Sequence, residues 1–238
     1  MKNLFLFLFL LVVFTSKAQD NRVSGLNSRQ FTKYWKVESE SPDYKVTFQG
    51  DTAEIVSPKG LTLWRKEKMS GKVTIEYDAC VVVESDGDRL SDLNCFWMAS
   101  DPQYPDNLWK REKWRSGIFL NCYSLQLYYL GYGGNHNSTT RFRRYDGDES
   151  GITNPKARPA ILKEYTDAGH LLKPNHWYHI KITNENNRVS YYIDGERLVD
   201  FRDAEPLREG WFGFRTTLSR TRITNFSYEC SSQEATAV

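Results

Sequence analysis

The sequence has little that would mark a protein that binds nucleotides, nucleic acid or membranes. Its 238 residues include 32 Lys or Arg and 30 Asp or Glu, so the formal net charge is only +2. A chain this close to neutral exerts no long-range attraction on nucleic acid or on an anionic membrane. It has no glycine-rich phosphate loop and no Ser, His and Asp in the order of a hydrolase triad. Any attraction for an acidic partner must therefore come from a local cluster of cations.

Cysteine is scarce, and the four thiols lack the spacing of a metal site. Cys80, Cys95, Cys122 and Cys230 occur without a Cys-x-x-Cys pair and without paired histidines. A zinc site is therefore not expected. An oxidising compartment would permit disulfides, but the sequence does not decide between the possible pairings, and buried free thiols are the alternative.

Acidic clusters that could hold a metal are equally rare. Asp-Gly-Asp occurs at residues 86–88 and 146–148, and each triplet is far shorter than a calcium-binding EF-hand loop. Both triplets are more typical of turns. We therefore expect no cofactor, and a structural calcium ion is the one exception that stays open.

Long hydrophobic runs are missing except at the start of the chain. Lys2 precedes an unbroken apolar run at residues 4–14, and Ser-Lys-Ala follows at residues 16–18. This order predicts a secretory signal peptide at residues 1–18. The apolar run is shorter than a bilayer-spanning helix and no second run follows, so we expect a secreted or periplasmic protein without a membrane partner.

What the sequence has in abundance is strand-forming residues. Short runs rich in Val, Ile, Thr, Tyr, Phe and Trp alternate with turn residues over 31–230. Only 161–171 and 106–114 have the pattern of a short helix. We predict one all-β domain over 31–230, an antiparallel sandwich or barrel, with an N-terminal linker at 19–30 and a flexible tail at 231–238.

Alternation along three of these runs separates an apolar face from a polar one. Phe212 and Phe214, for example, point away from Arg215. We expect the polar sides of the three strands to form one face, which is typical of a carbohydrate-binding sheet and also of any half-exposed sheet. The side chains assigned to this face are Ser124, Gln126, Tyr128, Arg141, Arg143, Tyr145, Gly213, Arg215 and Thr217.

Residues 131–150, GYGGNHNSTTRFRRYDGDES, gather cations in a chain that is otherwise nearly neutral. Arginine binds a carboxylate or a sulfate through two parallel hydrogen bonds, aromatic rings stack on sugar rings, and Asn, Gln and Thr bind hydroxyls. The combination predicts an acidic oligosaccharide, with or without sulfate, as the ligand. The residues expected to bind it are Asn121, Tyr123, Gln126, Tyr128 and Asn137.

The same cluster contains the groups that a β-elimination from a uronate requires. Cations neutralise the carboxylate and make the C5 proton more acidic. A base then removes this proton, and an acid protonates the oxygen that leaves C4. We predict His136 as the base, Tyr145 as the acid, and Arg141, Arg143 and Arg215 as the carboxylate clamps. The plainer interpretation is a surface histidine beside the charges of a solvated edge strand.

Several runs also resemble a known group of proteins. WYHIKI, YYIDGERL and GFR are generic to a fold, whereas GGNHNSTTRFRRYDG is specific. Over roughly residues 30–230 the sequence resembles the concanavalin A-like jelly-roll proteins that bacteria encode among polysaccharide-utilisation genes. Within this group it is most similar to lyase-related dehydratases that act on oligosaccharides of ulvan, an algal polymer of sulfated rhamnose and uronic acid.

The resemblance implies two stacked antiparallel sheets with a ligand groove on one of them. It also implies a carbon–oxygen lyase that removes water across C4 and C5 of a non-reducing-end uronate and leaves a 4,5-unsaturated sugar. A shared fold does not by itself decide function. Three alternatives stay open: an endo-acting polysaccharide lyase, a non-catalytic carbohydrate-binding module, and a glycoside hydrolase with two carboxylates.

Overall fold

The strand-rich runs pair into an antiparallel β-sandwich, as predicted. The computed structural model describes residues 22–231. Within that range no helix is long and apolar enough to cross a membrane. The predicted signal peptide, residues 1–18, lies outside the described residues, and so do residues 232–238 of the predicted tail.

All strands are antiparallel to their neighbours, and the helices are single turns. The strands are β1 (Val23–Ser24), β2 (Trp35–Ser39), β3 (Lys45–Gln49), β4 (Thr52–Arg65), β5 (Met69–Ser70), β6 (Lys72–Val81), β7 (Leu93–Ser100), β8 (Gln126–Gly133), β9 (Thr139–Asp146), β10 (Lys163–Tyr165), β11 (Tyr178–Glu185), β12 (Arg188–Ile193), β13 (Glu196–Arg202) and β14 (Glu209–Ser231). The helical turns are α1 (Phe31–Tyr34), α2 (Glu112–Arg115), α3 (Gly134–Asn137) and α4 (Ser150–Thr153), with 3-10 turns at Leu108–Arg111, Leu120–Ser124, Pro155–Ala157 and Ala168–His170.

Two long strands, β4 and β14, belong to both layers of the sandwich. They pair with each other from Gly213 to Ile223 of β14, while the first half of β14 also pairs with β7 and its second half with β6. Their register slips between Thr217 and Ser219, where Leu218 has a φ of 50°. Pro58 of β4, which has no N–H to pair, falls at the same slip. The slip marks the place where both strands pass from one layer to the other.

The front sheet consists of β2, the second half of β4, the first half of β14, β7, β8, β9 and β10. The back sheet consists of β3, the first half of β4, the second half of β14, β6, β11, β12 and β13. Each sheet therefore has an inner face toward the other sheet and an outer face away from it.

Aromatic side chains of both sheets meet in the core between them. The ring centroids of Trp97 in the front sheet and Tyr191 in the back sheet lie 6.1 Å apart. Those of Phe214 and Tyr77 lie 4.8 Å apart. Pairs of this kind add roughly 0.5–1.5 kcal/mol to the stability gained from the area they bury. The alternation of Phe212 and Phe214 thus indicated the inner face correctly.

A second hydrophobic cluster covers part of the outer face of the front sheet. Residues 101–125, here called the capping segment, pack over Trp64, Phe96 and Leu127 of this face, with Leu108 among the side chains that cover them. The sequence had suggested a uniformly polar outer face. The structure shows instead that part of this face is an apolar interface with the capping segment.

A buried ion pair holds the capping segment on the sheet, and a second ion pair lies within the segment. Arg115 is fully buried, and its Nη2 donates to Oε2 of Glu38 at 2.9 Å and to the carbonyl oxygen of Leu108 at 2.7 Å. Asp101, also fully buried, accepts hydrogen bonds from Nε and Nη2 of Arg111 at 2.7 and 3.2 Å. Each buried carboxylate thus faces a guanidinium, which offsets the cost of removing both from water.

Two expectations about local structure are corrected. Residues 161–171 are not a helix: they contain strand β10 and a single 3-10 turn. The described part of the linker, residues 22–30, is attached to the sandwich, because Val23 pairs with Tyr228 and Leu26 is buried.

All four cysteines are free thiols in the structure. Cys80, Cys95 and Cys122 are buried and Cys230 is half-buried. Burial raises the pKa of the Cys95 thiol to about 12 and that of the Cys122 thiol to about 11. Of the two possibilities that the sequence leaves open, the structure therefore shows unpaired thiols packed as small apolar side chains.

Candidate functional site

Beside the capping segment, the outer face of the front sheet carries a row of polar positions. Strand pairing places Arg215 next to Asn94, Asn94 next to Gly131, and Gly131 next to Arg141. Directly opposed residues on neighbouring strands point to the same side of a sheet. Arg143 lies two residues along β9 from Arg141 and points the same way. The three arginines predicted as clamps therefore share one face.

This row forms the floor of a hollow of about 430 Å³, which we call the arginine hollow. The capping segment bounds it on one side, and residues 150–159, the side loop, bound it on another. Five arginines but only two acidic residues line it, so its potential is positive. Its lining consists of Glu40, Arg89, Asp92, Asn94, Phe119, Tyr123, Tyr129, Gly131, Gly134, Asn135, Thr139, Arg141, Arg143, Arg158, Arg215 and Thr217.

Arg215 is the most deeply set of the five arginines, with 3% of its surface exposed. Its Nη1 donates to the carbonyl oxygen of Gly117 at 2.6 Å and to Oγ1 of Thr62 at 3.3 Å. Its guanidinium carbon lies 5.6 Å from the centre of the Phe119 ring. Arg215 forms no salt bridge with any acidic residue of the described range. A buried cation of this kind is stabilised when an anion joins it.

Arg143 and Arg158 line the hollow beside the side loop. Arg143 donates to the carbonyl oxygen of Pro159, and Nε of Arg158 donates to that of Gly151 at 3.3 Å. The guanidinium carbon of Arg158 lies 5.9 Å from the centre of the Tyr123 ring. Neither arginine has a salt bridge to a carboxylate within residues 22–231. Both are held by neutral carbonyl groups, which leaves their charges uncompensated.

The remaining two arginines of the hollow are already paired with acids. Nε of Arg141 lies 2.5 Å from Oε1 of Glu164, and Nη1 of Arg89 lies 2.7 Å from Oδ2 of Asp92. Asp92 also accepts a hydrogen bond from Nδ2 of Asn94 at 3.2 Å. These pairs form the rim of the hollow, and their charges are less available to a ligand than those of the three arginines without acidic partners.

Two phenols and one phenyl ring form the aromatic part of the lining. The Phe119 ring centroid lies 5.6 Å from that of Tyr129 and 6.0 Å from that of Tyr123. Burial raises the pKa of both phenols. Arg143 opposes this rise at both tyrosines but does not reverse it. Tyr123 and Tyr129 are therefore hydrogen-bond donors at neutral pH and not bases.

Gly131 creates the space that the Tyr129 phenol occupies. A Cβ atom on Gly131 would lie 2.2 Å from the hydroxyl oxygen of Tyr129 and 2.7 Å from Cζ of the same ring. Real Cβ atoms do not approach other atoms this closely, so any larger residue would displace the ring. The glycine lets the phenol lie flat across the row between Arg215 and Arg141.

Tyr145, predicted as the acid, does not reach the hollow. Its side chain is fully buried below the lining, with ring centroids 5.2 Å from Tyr123 and 5.8 Å from Tyr129. Its hydroxyl has no hydrogen-bond partner among the described residues, and burial raises its pKa well above the ordinary value. A ligand in the hollow cannot contact Tyr145 in this arrangement, so the acid assignment is corrected.

The predicted orientation of β8 is also corrected. Tyr128 points into the core between the sheets, where its hydroxyl donates to Oδ2 of Asp203 at 2.6 Å. Gln126 points to the same side as Tyr128 and is not among the lining residues. The outward positions of β8 are Leu127 and Tyr129, because the capping segment makes this part of the outer face apolar. Polar character therefore indicated the wrong side of the strand.

His136, predicted as the base, lies on a turn at the edge of the hollow. Asn135, His136 and Asn137 have φ angles of 53°, 60° and 57° and form a left-handed turn. His136 is exposed and does not contribute to the lining, whereas Asn135 does. Asn137 is bonded to the backbone of Leu172, accepting from its N–H at 2.8 Å and donating to its carbonyl oxygen at 2.9 Å. Asn137 thus anchors the turn.

Of the predicted binding residues, Tyr123 alone lines the hollow. Asn121 is half-buried in the capping segment and donates to the carbonyl oxygen of Trp114 at 3.1 Å. Its role is to hold the segment together. The expected sugar contacts of Asn121, Gln126, Tyr128 and Asn137 are therefore not supported by their positions.

Several lining residues were not predicted from the sequence, among them Tyr129, Asn94 and Arg158. Tyr129 follows from the alternation of β8 once Leu127 is recognised as an outward, covered residue. Asn94 lies on β7, whose residues are nearly all buried, so the strand has no alternation of polar and apolar residues that would indicate its outer face. Arg158 lies in the irregular side loop, and no local pattern places it beside Tyr123.

The described residues contain no group of three or more His, Cys, Asp or Glu side chains arranged to hold a metal ion. The two Asp-Gly-Asp triplets form turns: Oδ2 of Asp88 accepts hydrogen bonds from the N–H groups of Glu84 and Ser85, and Oδ1 of Asp146 accepts one from that of Asp148. The expectation that the protein works without a cofactor stays a prediction.

A family described as "Domain of unknown function (DUF6250)" matches residues 55–226, which include every strand of the hollow floor. The chain belongs to this family. No curated protein matches it in sequence. The family's description states no activity, so the function has to be argued from the hollow itself.

Solved structures share the fold at low sequence identity. A Bacillus subtilis protein of unknown function with a galectin-like fold is 16% identical, with a TM-score of 0.68 over 88% of this chain and 94% of that one. The carbohydrate-binding module CBM66 from Bacillus subtilis is 15% identical (TM-score 0.53, 82% and 94% covered). The alginate lyase Aly36B is 12% identical (TM-score 0.50, 80% and 85% covered). These similarities show a galectin-like jelly-roll sandwich.

Proposed function

We propose that the protein binds an acidic oligosaccharide in the arginine hollow. The observation that carries this proposal is that Arg143, Arg158 and Arg215 line one cavity and form no salt bridge with an acidic residue of the described chain. Guanidinium groups held by neutral carbonyls are preorganised for carboxylate or sulfate. Phe119 and Tyr123 add ring surfaces of the kind that stack on pyranose rings.

Similar folds support a sugar as the ligand. The solved structures of similar fold include a carbohydrate-binding module and a lyase named for alginate, a polymer of uronates. The sequence resemblance points to uronates of ulvan type. The predicted signal peptide is consistent with a role outside the cytoplasm, in the periplasm or the medium, where such oligosaccharides are found.

Calorimetric titration with uronate oligosaccharides from alginate and ulvan tests this proposal. We expect binding of these ligands but not of neutral oligosaccharides of equal length. The double variant Arg143→Ser/Arg158→Ser should bind at least tenfold more weakly, because each charge-assisted hydrogen bond contributes about 1.5–3 kcal/mol. Arg29→Ser, which removes an exposed arginine remote from the hollow, is the matched control. Equal affinity in the double variant and the control would contradict the proposal.

The second candidate function is elimination from the bound uronate, and the position of Tyr129 favours it. Its phenol lies in the row between Arg215 and Arg141, and the charges of Arg215 and Arg143 oppose the rise in its pKa that burial causes, which favours proton donation. In the reaction His136, as the base, takes the proton from C5, and the electron pair of the C5–H bond forms the C4–C5 double bond. The C4–O bond breaks, and the Tyr129 proton joins the departing hydroxide to give water. The arginines stabilise the enolate-like carboxylate on the way.

The phenols of the hollow do not supply the base for this reaction, because Tyr123 and Tyr129 are protonated. Of the two acidic lining residues, Asp92 is engaged by Arg89, and Glu40 accepts a hydrogen bond from the N–H of Gly60 at 3.2 Å. His136, on the turn next to Asn135, is the imidazole nearest along the chain to the lining. Its role as the base therefore depends on the turn moving when a ligand binds.

Product analysis separates elimination from binding alone. Incubation with the oligosaccharides that bind should give ultraviolet absorbance of an unsaturated uronate and the loss of one water in the mass spectrum. Chain cleavage instead of water loss would indicate a polysaccharide lyase. His136→Ala should abolish the product while leaving affinity unchanged. Tight binding with no product in the wild type would leave a non-catalytic carbohydrate-binding module as the function.

A further inference from the structure

The outer face of the back sheet has a second polar depression, on the opposite side of the sandwich from the arginine hollow. Strand pairing places Thr74, Thr183, Ser190 and Asp200 side by side across β6, β11, β12 and β13. Three of the four are small hydroxyl side chains. Thr74, Thr183 and Ser190 form the floor of a trough of about 480 Å³, and Asp200 lies next to Ser190 on β13.

Longer side chains of the adjacent rows form the walls of this trough. Arg188 and Arg202 stand opposite each other on one side of the hydroxyl row, and Tyr192 and Arg197 stand opposite each other on the other side. Residues two apart on a strand point the same way, so both walls rise from the same face as the floor. With strands roughly 4.8 Å apart, a trough across four strands is about 14 Å long.

The charges along the trough are not balanced. Arg188 binds Asp200 through two hydrogen bonds of 2.6 Å, and Nη1 of Arg197 lies 3.2 Å from the same carboxylate. Arg202 forms no salt bridge with an acidic residue of the described range. It is paired in register with Arg188, and like charges in this arrangement repel each other. Asp200 offsets part of this repulsion, because its carboxylate binds Arg188 and is attracted to Arg202, and an anion lying between the two arginines would offset the rest.

The plainer interpretation is that these charges only protect an edge strand from aggregation. Edge protection accounts for Arg197 and Arg202 on β13, which lies at the end of the sheet order. It does not account for the hydroxyl floor, in which Ser190 is 3% exposed, or for a tyrosine ring beside it. Hydroxyls, an aromatic ring and arginines are together the residue types that bind an acidic sugar.

We propose that this trough is a second carbohydrate site, which binds a segment of an acidic polysaccharide chain. Its length suits several sugar units of a chain, and its polar hydroxyl floor suits their hydroxyl groups. The hollow and the trough lie on opposite outer faces with the core between them. The proposal therefore does not depend on what the hollow binds.

A site of this kind holds the protein on a polymer while the hollow remains open to another part of it. Two modest sites on one body increase the effective concentration of the second ligand segment once the first is bound. Long chains should therefore bind more tightly than short oligosaccharides, beyond the increase expected from the number of sugar units alone.

The test uses long-chain alginate in affinity electrophoresis and an alginate oligosaccharide in calorimetry. In both, Arg202→Glu and Tyr192→Ser are compared with Arg29→Glu, which makes the same charge change at an exposed site elsewhere. All three are made in the Arg143→Ser/Arg158→Ser background, so that loss of binding in the trough is measured apart from the hollow. We expect roughly five- to tenfold weaker binding by the trough variants and no change with Arg29→Glu.

The wild-type stoichiometry gives an independent readout. We expect two binding events per chain, of which Arg202→Glu weakens one and the double substitution in the hollow weakens the other. One oligosaccharide per chain, lost entirely in the hollow variant, would overturn the trough proposal and leave the hollow intact. Double-stranded DNA serves as the other polyanion: if it binds as tightly as alginate, the trough is a general anion surface and the proposal is wrong.

Discussion

Arg215 and Gly117 join the front sheet to the capping segment through one hydrogen bond of 2.6 Å. Gly117 has a φ of 69°, and a Cβ atom there would lie 2.6 Å from the backbone nitrogen of Glu40. Glycine is the residue that tolerates both the dihedral angle and the close approach. Its carbonyl oxygen is therefore fixed, and the fixed carbonyl holds the guanidinium at the floor of the hollow.

Substitution of Arg215 by lysine should weaken ligand binding even though the charge is kept. Lysine keeps the charge but cannot hold the Gly117 carbonyl and a carboxylate at the same time with a planar fork. We expect Arg215→Lys to reduce affinity for a uronate oligosaccharide about tenfold, measured by calorimetry. Arg29→Lys is the control. Wild-type affinity in Arg215→Lys would show that this guanidinium does not contact the ligand.

Gly131→Ala should act through Tyr129. The new Cβ atom displaces the phenol from the row between the arginines. We expect the affinity to fall to that of Tyr129→Phe, and the double variant to be no weaker than either single one. Circular dichroism checks that the fold is kept. Additive losses in the double variant would mean that the glycine acts by some other route.

Breaking the buried ion pair should destabilise the capping segment. Arg115→Met leaves the Glu38 carboxylate buried without its partner, which costs about 3–5 kcal/mol in the free energy of unfolding. Urea unfolding measures this loss. The double variant Glu38→Leu/Arg115→Met removes both charges and should recover most of the stability. If it remains as unstable as the single variant, packing and not the unpaired charge is the cause.

The buried thiols should be unreactive in the folded protein. With pKa values raised to about 12 and about 11, Cys95 and Cys122 hold almost no thiolate in mildly alkaline buffer. Iodoacetamide should label neither residue before denaturation and both afterwards, as peptide mass spectrometry would show. Rapid labelling of either residue in the native protein would contradict the packing described here.

Low pH should reduce the stability of the folded sandwich, because the Glu54 carboxylate becomes protonated. Partial burial raises the pKa of this carboxyl, but hydrogen bonds from Arg220 and Arg222 outweigh it and hold the pKa below its ordinary value of 4.5. Because the folded pKa is the lower one, the stabilisation is present above 4.5 and is lost as the pH falls through the folded value. Glu54→Gln should be less stable than wild type at neutral pH and equal to it in strong acid, measured by urea unfolding across pH. A difference that is constant with pH would refute this origin.

Periodicity predicted those parts of the site whose side chains alternate in a regular strand. Arg141, Arg143 and Arg215 were assigned to one outward face because each alternates with an inward phenylalanine, and the structure brings all three to one hollow. The same reasoning failed for β8, where Leu127 faces outward under the capping segment. Alternation gives two faces but does not say which one is covered.

The sequence by itself determined the antiparallel sandwich and the clustering of arginines on one face, because both depend on the two-residue repeat of a strand. Only the tertiary structure decided that the capping segment and the side loop enclose these arginines, that Tyr129 replaces Tyr145 beside them, and that His136 stays outside. Those outcomes depend on contacts between segments far apart in the chain, such as Arg158 with Tyr123 and Arg115 with Glu38, and no local pattern encodes them.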